Sequence, residues 1–155
     1  MKKFNLKVFI ICIVVVFGTA FFGTLFTSPN TGTDWYESIK PAITPPNWVF
    51  PIVWNILFLL IAISLYLSWT DAKNKDMKKK VALLFAVNLI LNGLWSVLYF
   101  GLRNPLYAFI EIIFLWISIL ALVVGVYKIN KKASYLLWPY LLWVSFAAVL
   151  NFLSL

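Results

Sequence analysis

The chain has 155 residues, of which 63% are hydrophobic, 19% aromatic and only 12% charged, with a formal net charge of +8. Soluble domains carry roughly 25% charged residues, so the composition excludes a water-soluble globule and points to a polytopic membrane protein whose charges sit in loops. With no His and a single Cys, His-based acid/base chemistry, His metal sites, His-ligated haem and an intrachain disulfide are excluded as well.

Five apolar runs are each about as long as a bilayer is thick: residues 6–26, 48–69, 81–100, 105–127 and 134–153. They predict an all-α integral membrane protein, a five-transmembrane-helix bundle forming one membrane domain over residues 1–155. The first run begins after a basic Met1-Lys2-Lys3 start. It exceeds the roughly 7–15 residue core of a signal peptide and shows no small-residue cleavage pattern, so it reads as a span. Cys12 lies inside it without redox or lipid-attachment spacing, as a small buried hydrophobe would.

The segment 27–47 differs from the other connections, which are short. It holds Pro29, Pro41, Pro45 and Pro46, the pair Trp35-Tyr36, and Asp34, Glu37 and Lys40. A long proline-stiffened, aromatic loop reads as a lid over a site; as a passive connector it would place Trp35 and Tyr36 in the interfacial aromatic belt.

Basic residues alternate by connection. Lys2, Lys3 and Lys7 precede the first span, Lys73, Lys75, Lys78, Lys79 and Lys80 follow the second, and Lys128, Lys131 and Lys132 follow the fourth. Only Lys40 and Arg103 stand on the opposite side. The positive-inside rule then gives a cytoplasmic N-terminus and an outward C-terminus, and the net charge needs no nucleic-acid partner. The stretch from Lys73 to Lys80, with Asp76 within it, reads as a cytoplasmic loop.

Polar side chains within spans need a partner or a cavity and so mark inward faces. The second span offers Phe50, Trp54, Asn55 and Phe58, and the third carries Asn88, Asn92, Trp95, Ser96 and Tyr99 on one helical stripe. The fourth has Tyr107, Glu111, Phe114 and Ser118, and the fifth Tyr140, Trp143, Ala147 and Asn151. Alternating span direction brings these sets together in the outer half, under the loop. The result would be an aromatic pocket with a few polar fixed points, suited to a flat polycyclic guest. Alternatively, the amides and hydroxyls bond to one another and hold the helices together. Trp69, Trp116 and Trp138 lack polar company and are expected in belts or facing lipid.

The stretch from Trp35 to Pro46 with Phe50 and Trp54, the stretch Asn88 to Ser96 with Tyr99-Phe100-Gly101 and Arg103-Asn104-Pro105, and Pro139-Tyr140-Leu141-Leu142-Trp143 with Ala147 and Asn151 together resemble the tryptophan-rich sensory protein family. That family includes the mitochondrial translocator protein, or peripheral benzodiazepine receptor. The resemblance implies a five-helix bundle, often a dimer, that binds porphyrins and isoquinoline or benzodiazepine ligands. The pocket would map to Tyr36, Pro45, Phe50, Trp54, Phe58, Asn88, Asn92, Trp95, Glu111, Trp143 and Ala147. No resident cofactor or metal is implied; the partners are a porphyrin or other flat lipophile, membrane lipid and a second copy.

The leading expectation is therefore a tetrapyrrole receptor or sensor in a bacterial cytoplasmic membrane. The alternatives are a light-dependent porphyrin-degrading enzyme acting through Trp54 and Trp143, and a transporter, for which no internal repeat or interrupted helix pair is evident. Ile43 stands where relatives are frequently aromatic, and the chain ends at Leu155 without the polar tail that carries a cholesterol-recognition pattern in animal relatives. Sterol binding is not expected.

Overall fold

The computed structural model describes residues 4–155; Lys2 and Lys3 of the charge pattern lie outside them. Five helical segments are long and apolar enough to cross a bilayer: Leu6–Thr27, Val49–Asp71, Lys75–Gly101, Pro105–Tyr127 and Lys131–Phe152. The elements are α1 (Leu6–Thr27), α2 (Asp34–Ile39), α3 (Val49–Asp71), α4 (Lys75–Ser96) continued by a π-helical turn (Val97–Gly101), α5 (Pro105–Tyr127), α6 (Lys131–Tyr135) and α7 (Trp138–Phe152).

Local sequence sets most of these boundaries. Asn5, Thr33, Asn74, Asn104 and Asn130 each precede a helix, and each side chain accepts a backbone N–H of the first turn, as short polar caps do. Pro105 follows its cap at the first helical position, where a missing N–H costs nothing.

Two boundaries differ from the apolar runs. α4 begins at Lys75, because the Asn74 cap starts the helix ahead of the apolar residues; the lysines from Lys75 to Lys80 form its first turns rather than a loop. The last span is two helices. Pro139 has no N–H to donate to the preceding turn, and Leu137 N instead closes a turn on Ser134 O at 3.0 Å.

The spans form a ring in which α1 packs on α3 and α4, α4 on α5, and α5 on α7. The seam between α7 and α3 closes the ring most thinly, and α6 fills it at one end. Ser64 Oγ of α3 donates to Ala133 O there at 2.8 Å, and Asn130 Nδ2 donates to Asp71 Oδ2 at 2.7 Å. At the same end Asn5 N donates to the Tyr66 hydroxyl at 3.0 Å, which ties the start of α1 to the end of α3.

The outer surface is apolar, as lipid requires: Phe21 is 69% and Ile90 68% exposed. The interior holds Asn88, Asn92, Glu111, Ser134 and Asn151 instead, all buried. This inverts the pattern of a water-soluble fold. The protein is an all-α integral membrane bundle of five spans.

Candidate ligand cavity under the loop

A cavity of about 360 Å³ opens inside the ring at the end opposite most of the lysines. It is within the size range of small-molecule sites. Its walls come from α1, α3, α4 with the π-turn, α5 and α7, and the 28–47 loop contributes Ser28, Thr31, Tyr36, Pro41, Thr44 and Asn47. Among the described residues no lining side chain is charged.

Of the residues singled out in the sequence, Tyr36, Phe50, Trp54, Phe58, Asn92, Trp95, Trp143 and Ala147 all border this cavity. Pro45, Asn88 and Glu111 do not; Thr44 and Pro41 face it where Pro45 was expected. Asn88 is turned to α5, where its Nδ2 donates to Ser118 Oγ at 2.9 Å. Glu111 is 5% exposed, with neither carboxyl oxygen hydrogen-bonded, and lies within electrostatic reach of Tyr140.

The aromatic walls are built by ring contacts. Trp54 stacks on Phe58 with centroids 5.4 Å apart, and Trp95 on Tyr99 at 4.9 Å with planes 22° apart. Phe50 meets Trp143 edge-on at 5.8 Å. Such faces suit a flat conjugated guest.

The third-span stripe also ties the helices together. Asn92 Nδ2 donates to the Tyr140 hydroxyl at 3.0 Å, Trp95 Nε1 to Asn151 Oδ1 at 3.0 Å, and the Tyr99 hydroxyl to Ser154 Oγ at 2.9 Å. Pocket wall and interhelical glue are thus the same side chains. Among the described residues that line the cavity, Trp143 Nε1 and Thr44 Oγ1 are buried without a hydrogen-bond partner.

On α5 the expected stripe is split. Tyr107 and Phe114 are exposed toward lipid, whereas Glu111 is buried. The inward face follows Ala108, Ile112, Leu115, Ile119 and Leu122, about 100° per residue around the helix, and Glu111 sits on its shoulder. Trp116 corrects another expectation, because its indole N–H donates to Ser145 Oγ at 2.8 Å and joins α5 to α7.

Three contributors escaped the sequence reading. The α1 wall is Thr19, Ala20, Gly23, Thr24 and Thr27, small residues at helical spacing, which is the signal that would have found it. Ser154 lines the cavity from beyond the end of α7. Arg103 holds the loop.

The loop's docking depends on the π-turn. The extra residue of a π-turn re-aims neighbouring side chains, so that the adjacent Tyr99 and Phe100 are both buried. Trp35 packs edge-on to Tyr99 at 5.9 Å, and Tyr36 lies 5.5 Å from Phe100. Gly101 allows the turn's close approach to α1, since a Cβ there would stand 2.8 Å from the Phe26 ring. Arg103 follows with φ 50°, a left-handed conformation that costs a non-glycine residue about 1–2 kcal/mol. Its Nη2 donates to Asn30 Oδ1 at 3.1 Å, and its guanidinium lies 5.6 Å over the Trp35 ring. Arg103→Ala should raise amide exchange across the 28–47 loop about tenfold while shifting the melting temperature little, since exposed contacts of this kind contribute about 1 kcal/mol. Hydrogen–deuterium exchange of the full chain in micelles measures it.

Burial pushes the Tyr36 phenol up to about 12 from its ordinary value near 10, with Tyr99 and Glu37 adding to the effect. The docked loop therefore holds the neutral phenol more tightly than the undocked loop does. That contribution is complete below pH 10 and is lost as the pH rises toward 12. Undocking of the loop, read from a fluorophore placed on it, should accordingly be flat through the neutral range and increase only above pH 10, a dependence that Tyr36→Phe removes.

Residues 10–154 match the model of the TspO/MBR family. The chain is 42% identical to the tryptophan-rich protein TspO of Archaeoglobus fulgidus over 149 residues, which is 96% of this chain and 95% of that protein. It is 38% identical to the tryptophan-rich protein TspO of Chlorobaculum tepidum over 143 residues, 92% of this chain and 90% of the other. Against the human translocator protein the identity is 32% over 134 residues, 85% of this chain and 79% of that one. A match over nearly all the described residues, on a bundle of five apolar spans, makes this chain a member of the TspO/MBR family.

Proposed function

We propose that the protein is a membrane receptor or sensor that binds a flat lipophile, a tetrapyrrole of the protoporphyrin type or an isoquinoline- or benzodiazepine-like molecule, in the cavity under the loop. The observation that carries this reading is the cavity's chemistry: aromatic faces from Trp54, Trp95, Phe50 and Trp143, no charge, and two unpartnered polar atoms on Trp143 and Thr44. A conjugated ring gains area and stacking there, and a small rotation of Trp143 or Thr44 would turn an unpartnered polar atom toward it. Arg103 at this end complements carboxylates that stay at the mouth, whereas Lys40 is paired with Glu37 at 2.8 Å. A relative from Cereibacter sphaeroides, 29% identical over 120 residues, is named tryptophan-rich sensory protein. The lysine-rich end, with Lys7, Lys73 to Lys80 and Lys128 to Lys132, lies in the cytoplasm under the positive-inside rule, and the loop faces outward.

The test is titration of purified protein with protoporphyrin, first in the dark and then under light, following tryptophan emission and the Soret band together. Saturable quenching with a stable Soret band is expected. Both Trp54 and Trp143 border the cavity, so the competing reading is photochemical. Light-driven loss of the band to a defined product, abolished in Trp54→Phe, would replace the receptor reading with an enzyme. Absence of saturation would overturn both.

A further inference from the structure

We propose that the seam between α3 and α7 is a lateral entrance through which the ligand passes between bilayer and cavity, with the Trp143 indole as its door. The inference rests on the cavity being a ligand site, and adds the route by which it fills.

The cavity's water-facing mouth is covered by the docked loop: Tyr36 on Phe100, Trp35 on Tyr99, and Arg103 clasping Asn30. On the lipid-facing surface of the ring lies a shallow groove formed by Val53, Ile56 and Leu57 of α3 and Pro139, Leu142 and Phe146 of α7. Trp143 lines both this groove and the cavity, and is the side chain common to the two. It stands in the thinnest seam of the ring.

Trp143 is also free to move in a way that Trp95 is not. Moving Trp95 would break its bond to Asn151, and moving Trp116 would break its bond to Ser145. The Trp143 N–H has no partner, and its ring contacts, Phe50 at 5.8 Å and Phe146 at 5.6 Å, are apolar. Rotating it therefore exchanges one set of dispersion contacts for another without breaking a hydrogen bond, which is what makes other openings costly.

The groove's chemistry names its user. It offers an apolar surface facing acyl chains, with Ile56 54% and Leu142 66% exposed. A lipophile already dissolved in the bilayer meets it directly, at a concentration set by partitioning rather than by aqueous solubility.

The experiment uses the full chain in phosphatidylcholine vesicles, with protoporphyrin IX supplied in the bilayer and its emission followed by stopped flow. Ile56→Phe and Leu142→Phe, made singly, thicken the groove from the lipid side without entering the cavity lining. Each should slow association and release by about tenfold together, leaving Kd within about twofold, because an obstacle on the path raises the barrier from both sides equally. Unchanged rates in both variants, with wild-type binding intact, would overturn the entrance alone. Faster association in Arg103→Ala together with unchanged groove variants would assign entry to the loop and overturn it too. No saturable binding by the wild type would overturn the ligand site and the entrance together.

Discussion

Ala147→Phe should raise the Kd for protoporphyrin at least about 100-fold, equivalent to roughly 2.7 kcal/mol of binding free energy, with helix content retained. Ala147 lies one turn beyond Trp143 on α7, and both border the cavity. Alanine there leaves room in the cavity whose lining also includes the Trp54 and Phe58 rings of α3. A phenyl group would occupy the volume that a conjugated ring needs, and the close-packed walls on either side cannot give way cheaply. The substitution adds apolar bulk inside an apolar space, so the fold should survive. Equilibrium quenching titration with circular dichroism as the folding control decides it. An unchanged Kd would place the ligand elsewhere on the protein.

Asn151→Leu should cost about 2 kcal/mol of stability, through the bonds it removes and the indole N–H it orphans. The Asn151 carboxamide accepts from Trp95 Nε1 at 3.0 Å and donates to Pro105 O at 2.9 Å. One side chain of α7 thereby joins α4 to the start of α5. Leucine fills much of the volume but satisfies neither group. Average interhelical hydrogen bonds in membranes contribute only about 0.6 kcal/mol; this one exceeds that because two bonds are lost and a buried donor is left bare. Unfolding in mixed micelles measures the difference. A loss below about 0.5 kcal/mol would mean that Trp95 is held by its stack on Tyr99 rather than by Asn151.

The two results would bear on different halves of the site. Ala147 tests space, whereas Asn151 tests the framework that holds the aromatic wall upright. The same stripe of α4 does both: Trp95 borders the cavity and donates to Asn151 through its indole N–H. The binding and helix-joining readings of the polar residues were therefore never exclusive for Asn92, Trp95 and Tyr99.

Much of this was legible in the sequence because a bilayer imposes a simple rule. An apolar run of about 20 residues must be a helix, since no other open structure satisfies its backbone in lipid. The five spans, the polar stripe of α4, and the inward face of α7 with Tyr140, Trp143, Ala147 and Asn151 follow from that rule and from a period of 3.6 residues. The Asn caps fixed helix starts even where the charge pattern suggested a loop, as at Asn74. Periodicity failed at shoulders. Glu111 and Tyr107 lie about 40° apart on α5, yet one is buried and the other exposed, because where a face ends depends on which neighbours pack there.

The sequence by itself determined that this is an integral membrane bundle of five helices, which faces of α3, α4 and α7 turn inward, and which family the chain resembles; these follow from local backbone satisfaction and helical repeat. Only the tertiary structure decided that Asn88 and Glu111 lie outside the cavity, that α1 supplies a wall of small residues, that Arg103 holds the loop, and that Trp143 borders both the cavity and the groove between α3 and α7. Those properties depend on the order of helices around the ring and on the thin seam between α3 and α7. Contacts between residues far apart in the chain set them, and no periodicity along one helix encodes its partner.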